Sequence, residues 1–251
     1  MLFARHRKGF GIHSPFTFSF LTEVVFSKQK PEIFKKIESI RKELLNNQRK
    51  IFIKDYGSGS RAKADTHVKV NQLAKNSSIK QKYGKILFNA VLFIEPSEII
   101  ELGTSLGIST LYLAMANRQT KVYTVEGCPE RSAIAKSNFR KLMVDNVVMY
   151  NTRFEESLAT VLKINQTKNK LIFIDGNHNY QSTIGYFNMV QGMVTPGSVV
   201  IIDDIHWSKD MEKAWGEIKK YGFVTLTIDL FFMGIVFFNE NLKGDNLLVR
   251  Y

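Results

Sequence analysis

Glu101-Leu102-Gly103-Thr104-Ser105-Leu106-Gly107 joins an apolar run, Glu98 to Leu102, to a stretch of helical pattern that opens at Ile108. An apolar strand that ends in glycines and turns directly into a helix is the opening of a βαβ unit. Glycine lets backbone approach a ligand at the carboxyl end of a strand, and the helix N-terminus adds its positive end. Short apolar runs alternating with helical patterns continue downstream, which predicts a mostly parallel sheet covered on both faces. Strands are expected at Glu98 to Leu102, Lys121 to Val125, Val147 to Tyr150, Leu171 to Ile174 and Ser198 to Ile202. A last helix near Asp210 to Tyr221 is followed by Phe223 to Ile228 and Gly234 to Phe238, too close together for a crossover. Those two should form an antiparallel hairpin at the sheet edge.

Upstream of Pro96 the texture is different. Ser14-Pro15 caps a short Phe-rich helix to about Phe26, and Ile33, Phe34, Ile37, Ile40, Leu44 and Leu45 recur at helical spacing between Pro31 and Gln48. Ile51-Phe52-Ile53 predicts a short strand running into the turn-rich Asp55 to Ser60, and helices are expected at about 66 to 76 and 79 to 93. The chain thus divides into a mainly helical segment, 1 to 95, and an α/β domain, 96 to 251.

With 251 residues, 44% hydrophobic and 23% charged, the composition is that of a globular protein large enough for a substantial core. No apolar run reaches the length of a membrane span, and the N-terminus lacks the pattern of a secretory signal because Thr17, Ser19, Thr22 and Glu23 interrupt it. The single cysteine, Cys128, excludes an internal disulfide and a cysteine-based zinc cluster, in keeping with a cytoplasmic location. The net charge of +12 resides wholly in residues 1 to 96, which carry 19 Lys and Arg against 7 Asp and Glu. Such asymmetry is either a solubilising face on amphipathic helices or a surface for an anionic substrate, nucleic acid or membrane.

Three carboxylates mark the candidate chemistry. Asp175 ends the fourth α/β strand in Leu171-Ile172-Phe173-Ile174-Asp175-Gly176-Asn177-His178, and Asp203-Asp204 end the fifth in Val199 to Asp204. Adjacent parallel strands bring them to one edge of the sheet, where they repel one another unless a positive charge sits between them. A hard divalent cation such as magnesium answers that need. Glu126, closing the second strand 19 residues after Gly107, is placed to accept both hydroxyls of a ribose.

These residues resemble the class I S-adenosylmethionine-dependent methyltransferases, and the match runs from Ser97 to about Asn239. The resemblance implies a Rossmann-like doubly wound sheet of strand order 3-2-1-4-5-7-6, whose terminal hairpin separates it from dinucleotide-binding folds. Ser105, moreover, stands where a nicotinamide-binding fingerprint has its middle glycine. It further implies that Glu101, Gly103, Thr104, Ser105 and Gly107 line the methionine and ribose end of the site, that Glu126 holds the ribose, and that Arg153-Phe154 meet the adenine. The acidic pattern is similar to that of metal-dependent O-methyltransferases of the catechol and antibiotic-sugar types. On that likeness Asp175, Asp203 and Asp204 ligate the metal, although Asp204 replaces an amide of the catechol pattern. Asp175 orienting only cofactor or substrate, with Asp203 and Asp204 capping loops, is the other reading.

A sulfonium methyl needs an aligned, deprotonated oxygen, and histidine, with an ordinary pKa of about 6.5, suits the role of base. His178 is the first candidate and His206 the second, while Tyr180 and Trp207 could wall a substrate. His13, Phe16 and the Asp55 to Arg61 loop are expected lid elements. The expected acceptor is a small hydroxylated molecule. An RNA or protein methyltransferase using the basic segment, and a non-catalytic cofactor-binding module, remain the alternatives, and a homodimer is among the open assemblies.

Overall fold

The computed structural model describes residues 14–53, 66–152, 154, 168–242 and 246–251. Helix α1 (Pro15–Phe20) starts where the Ser14 side chain accepts from the Thr17 amide at 3.3 Å, and it runs on into a wider turn over Leu21–Val25. Helix α2 (Glu32–Asn46) follows, with Phe34, Ile37, Ile40 and Leu44 buried along one face. Strand β1 (Lys50–Ile53) pairs antiparallel with β2 (Thr66–Lys69). The helix expected from 66 therefore starts late, as α3 (Val70–Ser77), because β-branched Thr66 and Val68 pair with β1 first. Helix α4 (Gln81–Ile94) completes the first segment.

The α/β part comprises β3 (Glu98–Leu102), α5 (Ile108–Ala116), β4 (Lys121–Val125), α6 (Pro129–Lys141), β5 (Val147–Tyr150), β6 (Lys170–Ile174), α7 (Tyr180–Gln191), β7 (Val199–Asp203), α8 (Lys209–Ile218), β8 (Leu226–Asp229), β9 (Met233–Phe237) and the two-residue β10 (Leu247–Leu248). Strand order is β5-β4-β3-β6-β7-β9-β8-β10. Read from β3 as strand 1, its first seven positions are the expected 3-2-1-4-5-7-6, with β9 antiparallel to both β7 and β8. The hairpin is not the edge, however. Leu247 and Leu248 add a parallel partner to β8, covering a flank that would otherwise expose unpaired backbone.

Strands β3 and β6 are buried along their whole length because helices cover both faces of the sheet. One face packs Ile99, Val122, Leu171 and Val199 against α5 and against Phe20, Leu21, Ile37 and Leu87 of the first segment. The opposite face packs Ile100, Ile172 and Val200 against Phe187 and Trp215. Each such side chain contributes about 1.5–3 kcal/mol on burial, so the helices before Pro96 share the core of the sheet. Tyr112 on α5 donates to Glu38 on α2 at 2.8 Å, and Asn89 on α4 donates to the Val24 carbonyl at 3.1 Å. Phe16, an expected lid residue, instead meets Phe93 and Phe237 edge-on within that core. His13 and the Asp55 to Arg61 loop lie outside the described residues.

Glu101 ties β3 to its neighbours from beneath the glycine turn. Its Oε2 accepts from Thr110 on α5 at 2.5 Å and from Thr124 on β4 at 2.6 Å, and Thr104 reaches the same Thr124 hydroxyl at 2.6 Å. Its Oε1 has no hydrogen-bond partner among the described residues. Burial pushes the Glu101 carboxyl up, and Glu126 adds to the rise, against the opposing pull of the Ser109, Thr110 and Thr124 hydroxyls. An acid whose folded pKa exceeds its unfolded value binds more protons folded than unfolded, so its contribution to stability is lost as pH rises between the two. Thermal unfolding of the ligand-free protein should accordingly show a falling Tm from about pH 5 upward. Glu101→Gln should make that fall shallower, and an unchanged slope would show that this carboxyl does not resist ionisation.

Candidate active site

A cavity of about 450 Å³ opens at the carboxyl ends of β3, β4, β6 and β7. This is where an open parallel sheet reverses its order, with β4 on one side of β3 and β6 on the other. Gly103 shapes it most directly: at φ +108°, a Cβ there would stand 1.9 Å from the Asp175 carbonyl oxygen. Gly107, at φ +83°, supports the same turn from below, where a Cβ would strike the Phe139 ring at 2.7 Å. Ser105, Asn177 and Asp204 also line the cavity, and all three hold the left-handed backbone that side chains disfavour. Three of the six non-glycine residues with positive φ among those described thus fall on one cavity, and strain of roughly 1–3 kcal/mol per residue is a recurrent mark of functional sites.

Glu126 lies at the β4 end of the cavity. Its Oε2 accepts from the Ser105 amide and its Oε1 from the Cys128 amide, each at 2.9 Å. Both oxygens retain a lone pair for a ligand hydroxyl. Ser105 in turn touches the first segment, where its hydroxyl lies 3.1 Å from that of Ser77 at the end of α3.

At the β6 and β7 end, Asp175, Asp203 and Asp204 line the cavity. Burial pushes Asp175 well above the usual carboxylate range, with Asp204, Glu101 and Glu126 adding repulsion. Asp203 is raised likewise by burial and by Asp175 and Asp204, against an opposing pull from His178. Burial also raises Asp204, which His178 and Lys80 pull back down. His178 Nε2 sits 3.6 Å from Asp175 Oδ1 and 3.9 Å from Asp204 Oδ2, so the imidazole stands between two carboxylates and faces the cavity. Hard oxygen donors crowded against their own charge suit a divalent cation. As the side chains stand, no three His, Cys, Asp or Glu among the described residues converge closely enough to enclose one.

Several sequence-predicted residues lie elsewhere. Glu101 and Thr104 face the core beneath the turn and Gly107 abuts Phe139, so none of the three lines the cavity, whereas Gly103 and Ser105 do. Arg153 lies outside the described residues, and Phe154 lines the cavity edge-on to Tyr186. His206, the second candidate base, stacks on Phe231 and commits its ring nitrogens to Asp229 at 2.9 Å and Glu212 at 3.3 Å. It is absent from the cavity wall, because the chain turns at Asp204 and points the ring at β8. Tyr180 bonds to Glu217 and is also off the wall, while Trp207 is on it and 69% exposed.

Sequence reading missed the contribution of α3, α4 and their junction: Lys75, Ser78, Lys80 and Tyr83 form the wall facing the acids, joined by Phe232. The Tyr83 phenol is pushed up to about 12 by burial first, then by Asp203, Tyr251 and Asp204. No motif marks these positions, since they come from an ordinary amphipathic helix pair.

Residues 100–205 match a family model described as a methyltransferase domain. A catechol O-methyltransferase of Niastella koreensis is 25% identical over 130 residues, 51% of this chain and 58% of that protein. The chain therefore spans under two thirds of the length of that curated relative. Among solved structures, an O-methyltransferase from Bacillus cereus in complex with SAH aligns at TM-score 0.58 and 18% identity, covering 87% of this chain and 96% of the other. The O-methyltransferase TomG from Streptomyces achromogenes, involved in tomaymycin synthesis and solved with SAM, aligns at 0.59 and 16% over the same shares. Sheet order, glycine turn and family match agree: residues 100–205 are similar to a methyltransferase domain, and the chain has the Rossmann-like α/β fold of these solved O-methyltransferases.

Proposed function

We propose that the protein transfers a methyl group from S-adenosylmethionine to a hydroxyl oxygen of a small molecule, with a divalent cation assisting. The observation that carries this reading is one cavity with a ribose-grade acceptor, Glu126, at one end and His178 between Asp175 and Asp204 at the other. The catechol O-methyltransferase relative and the methyl-donor ligands of the structural neighbours support it. In this reading residues 96 to 251 are the catalytic domain and residues 1 to 95 its cap, and the buried thiol of Cys128 suits a reducing cytoplasm.

The donor, when bound, supplies a methyl already activated by the sulfonium charge. Glu126 accepts the ribose hydroxyls while its other lone pairs keep the Ser105 and Cys128 amides, so the pocket is organised before the ligand arrives. Asp175 and Glu126 line the cavity, and their carboxylates favour a cationic ligand over a neutral one. Asp175, Asp203 and Asp204 would hold the cation, magnesium by donor chemistry, whose charge lowers the pKa of an acceptor hydroxyl. His178 Nε2 takes the hydroxyl proton, and the imidazolium so formed gains from the two carboxylates beside it.

Calorimetry with S-adenosylhomocysteine tests the donor end. Wild type should bind, and Glu126→Ala should bind roughly 10- to 150-fold more weakly, the equivalent of hydrogen bonds to a charged acceptor. A folded wild-type protein with no affinity for it would overturn the reading. With catechol as the acceptor probe, Asp203→Ala should abolish the stimulation of turnover by magnesium while leaving S-adenosylhomocysteine affinity within about threefold. Equal loss of both would assign Asp203 to the donor site instead. His178→Ala should lower kcat about 10²- to 10⁴-fold while leaving S-adenosylhomocysteine affinity within about threefold. An unchanged kcat would remove His178 as the base.

A further inference from the structure

Two hydroxyls on the cap side of the cavity have no hydrogen-bond partner among the described residues, although both are buried: the Tyr83 phenol and Ser78 Oγ. Tyr83 is only 3% exposed, and its ring is held in place by Phe232 and Tyr251, at centroid distances of 5.8 and 5.9 Å. Tyr251 is itself anchored, donating to the Lys82 carbonyl at 3.0 Å. A buried hydroxyl left unpaired costs about 1–3 kcal/mol, and a ring locked on two sides cannot swing to find a partner. Tyr83, Asp203 and Asp204 line the same cavity, which places this ring at the end where the methyl acceptor would lie. The donor end is elsewhere, at Glu126 and Ser105.

We infer that Tyr83 is a specificity-determining residue, donating its phenolic hydrogen bond to a second oxygen of the acceptor next to the one that is methylated, with Ser78 as its companion on the same wall. The inference rests on the methyltransferase reading above and adds what that reading lacks, a residue that separates acceptors with two neighbouring oxygens from those with one. Phe232 and the exposed Trp207, both on the cavity wall, supply apolar surface for the ring or chain that carries those oxygens. A site built to bond a substrate oxygen discriminates against analogues without it, because its own polar group is then left unpaired.

The test compares wild type with Tyr83→Phe, which keeps the ring and its packing. Each is titrated first with S-adenosylhomocysteine and then, saturated with it and with magnesium present, with catechol and with phenol. Donor-product affinity should be the same in both proteins, which also reports that the variant is folded. Catechol should bind Tyr83→Phe about 5- to 10-fold more weakly, as expected for one neutral hydrogen bond, while phenol should not distinguish the two. Equal catechol affinity would mean that Tyr83 makes no bond to the acceptor, and absence of catechol binding to the saturated wild type would mean that the wall does not serve such acceptors. Either result overturns the assignment and leaves the donor reading standing. Failure of wild type to bind S-adenosylhomocysteine removes the donor reading and this inference with it.

Discussion

The close backbone approach between Gly103 and Asp175 governs the geometry of the site. Strands β3 and β6 pair in parallel from Glu98 opposite Lys170 to Leu102 opposite Ile174, and the ladder continues one step further, with the Asp175 amide donating to the Leu102 carbonyl at 2.8 Å. The chain then has to leave β3 past the Asp175 carbonyl, in space that a Cβ would fill. Only glycine permits this at φ +108°. The turn that follows presents the Ser105 amide to Glu126, and the acid on β6 is delivered to the same cavity.

Electrostatics runs against this arrangement in the ligand-free chain. Asp175, Asp203, Asp204 and Glu101 all have their carboxyls pushed up by burial, and the three aspartates act on one another. A stability-optimised core would not place so many acids together. Backbone strain at Ser105, Asn177 and Asp204 falls around the same cavity. Strain and repulsion held around one cavity mark a functional site rather than a packing solution.

The first segment is bound into the same structure rather than appended to it. Buried side chains of α1, α2 and α4 continue the core of one sheet face, and Ser77 bonds to Ser105 at the centre of the glycine turn. The cavity wall formed by Lys75, Ser78, Lys80 and Tyr83 is therefore positioned by the same packing that holds the glycine turn. Lys75 and Lys80 bring part of the basic excess of the first 96 residues to the cavity mouth, where Lys80 pulls Asp204 back toward the usual carboxylate range.

What the sequence by itself determined was whatever depends on neighbours along the chain. Alternating short apolar runs and helical patterns specified the parallel sheet, and strand ends in parallel register put Gly103, Glu126, Asp175, Asp203 and Asp204 at one edge, because every strand of a βαβ array points the same way. Tertiary structure alone decided which side chains of those loops face the cavity. Glu101 and Thr104 sit in the same motif as Ser105, yet alternation along β3 and the turn after it send them into the core. His206 follows Asp204 by two residues and is captured by Asp229, a partner 23 positions away that no local pattern announces. Tyr83 reaches the acids across a span of 120 residues only because α4 packs on α5. Contacts between residues remote in sequence form through side-chain volume and burial, which periodicity and spacing do not encode.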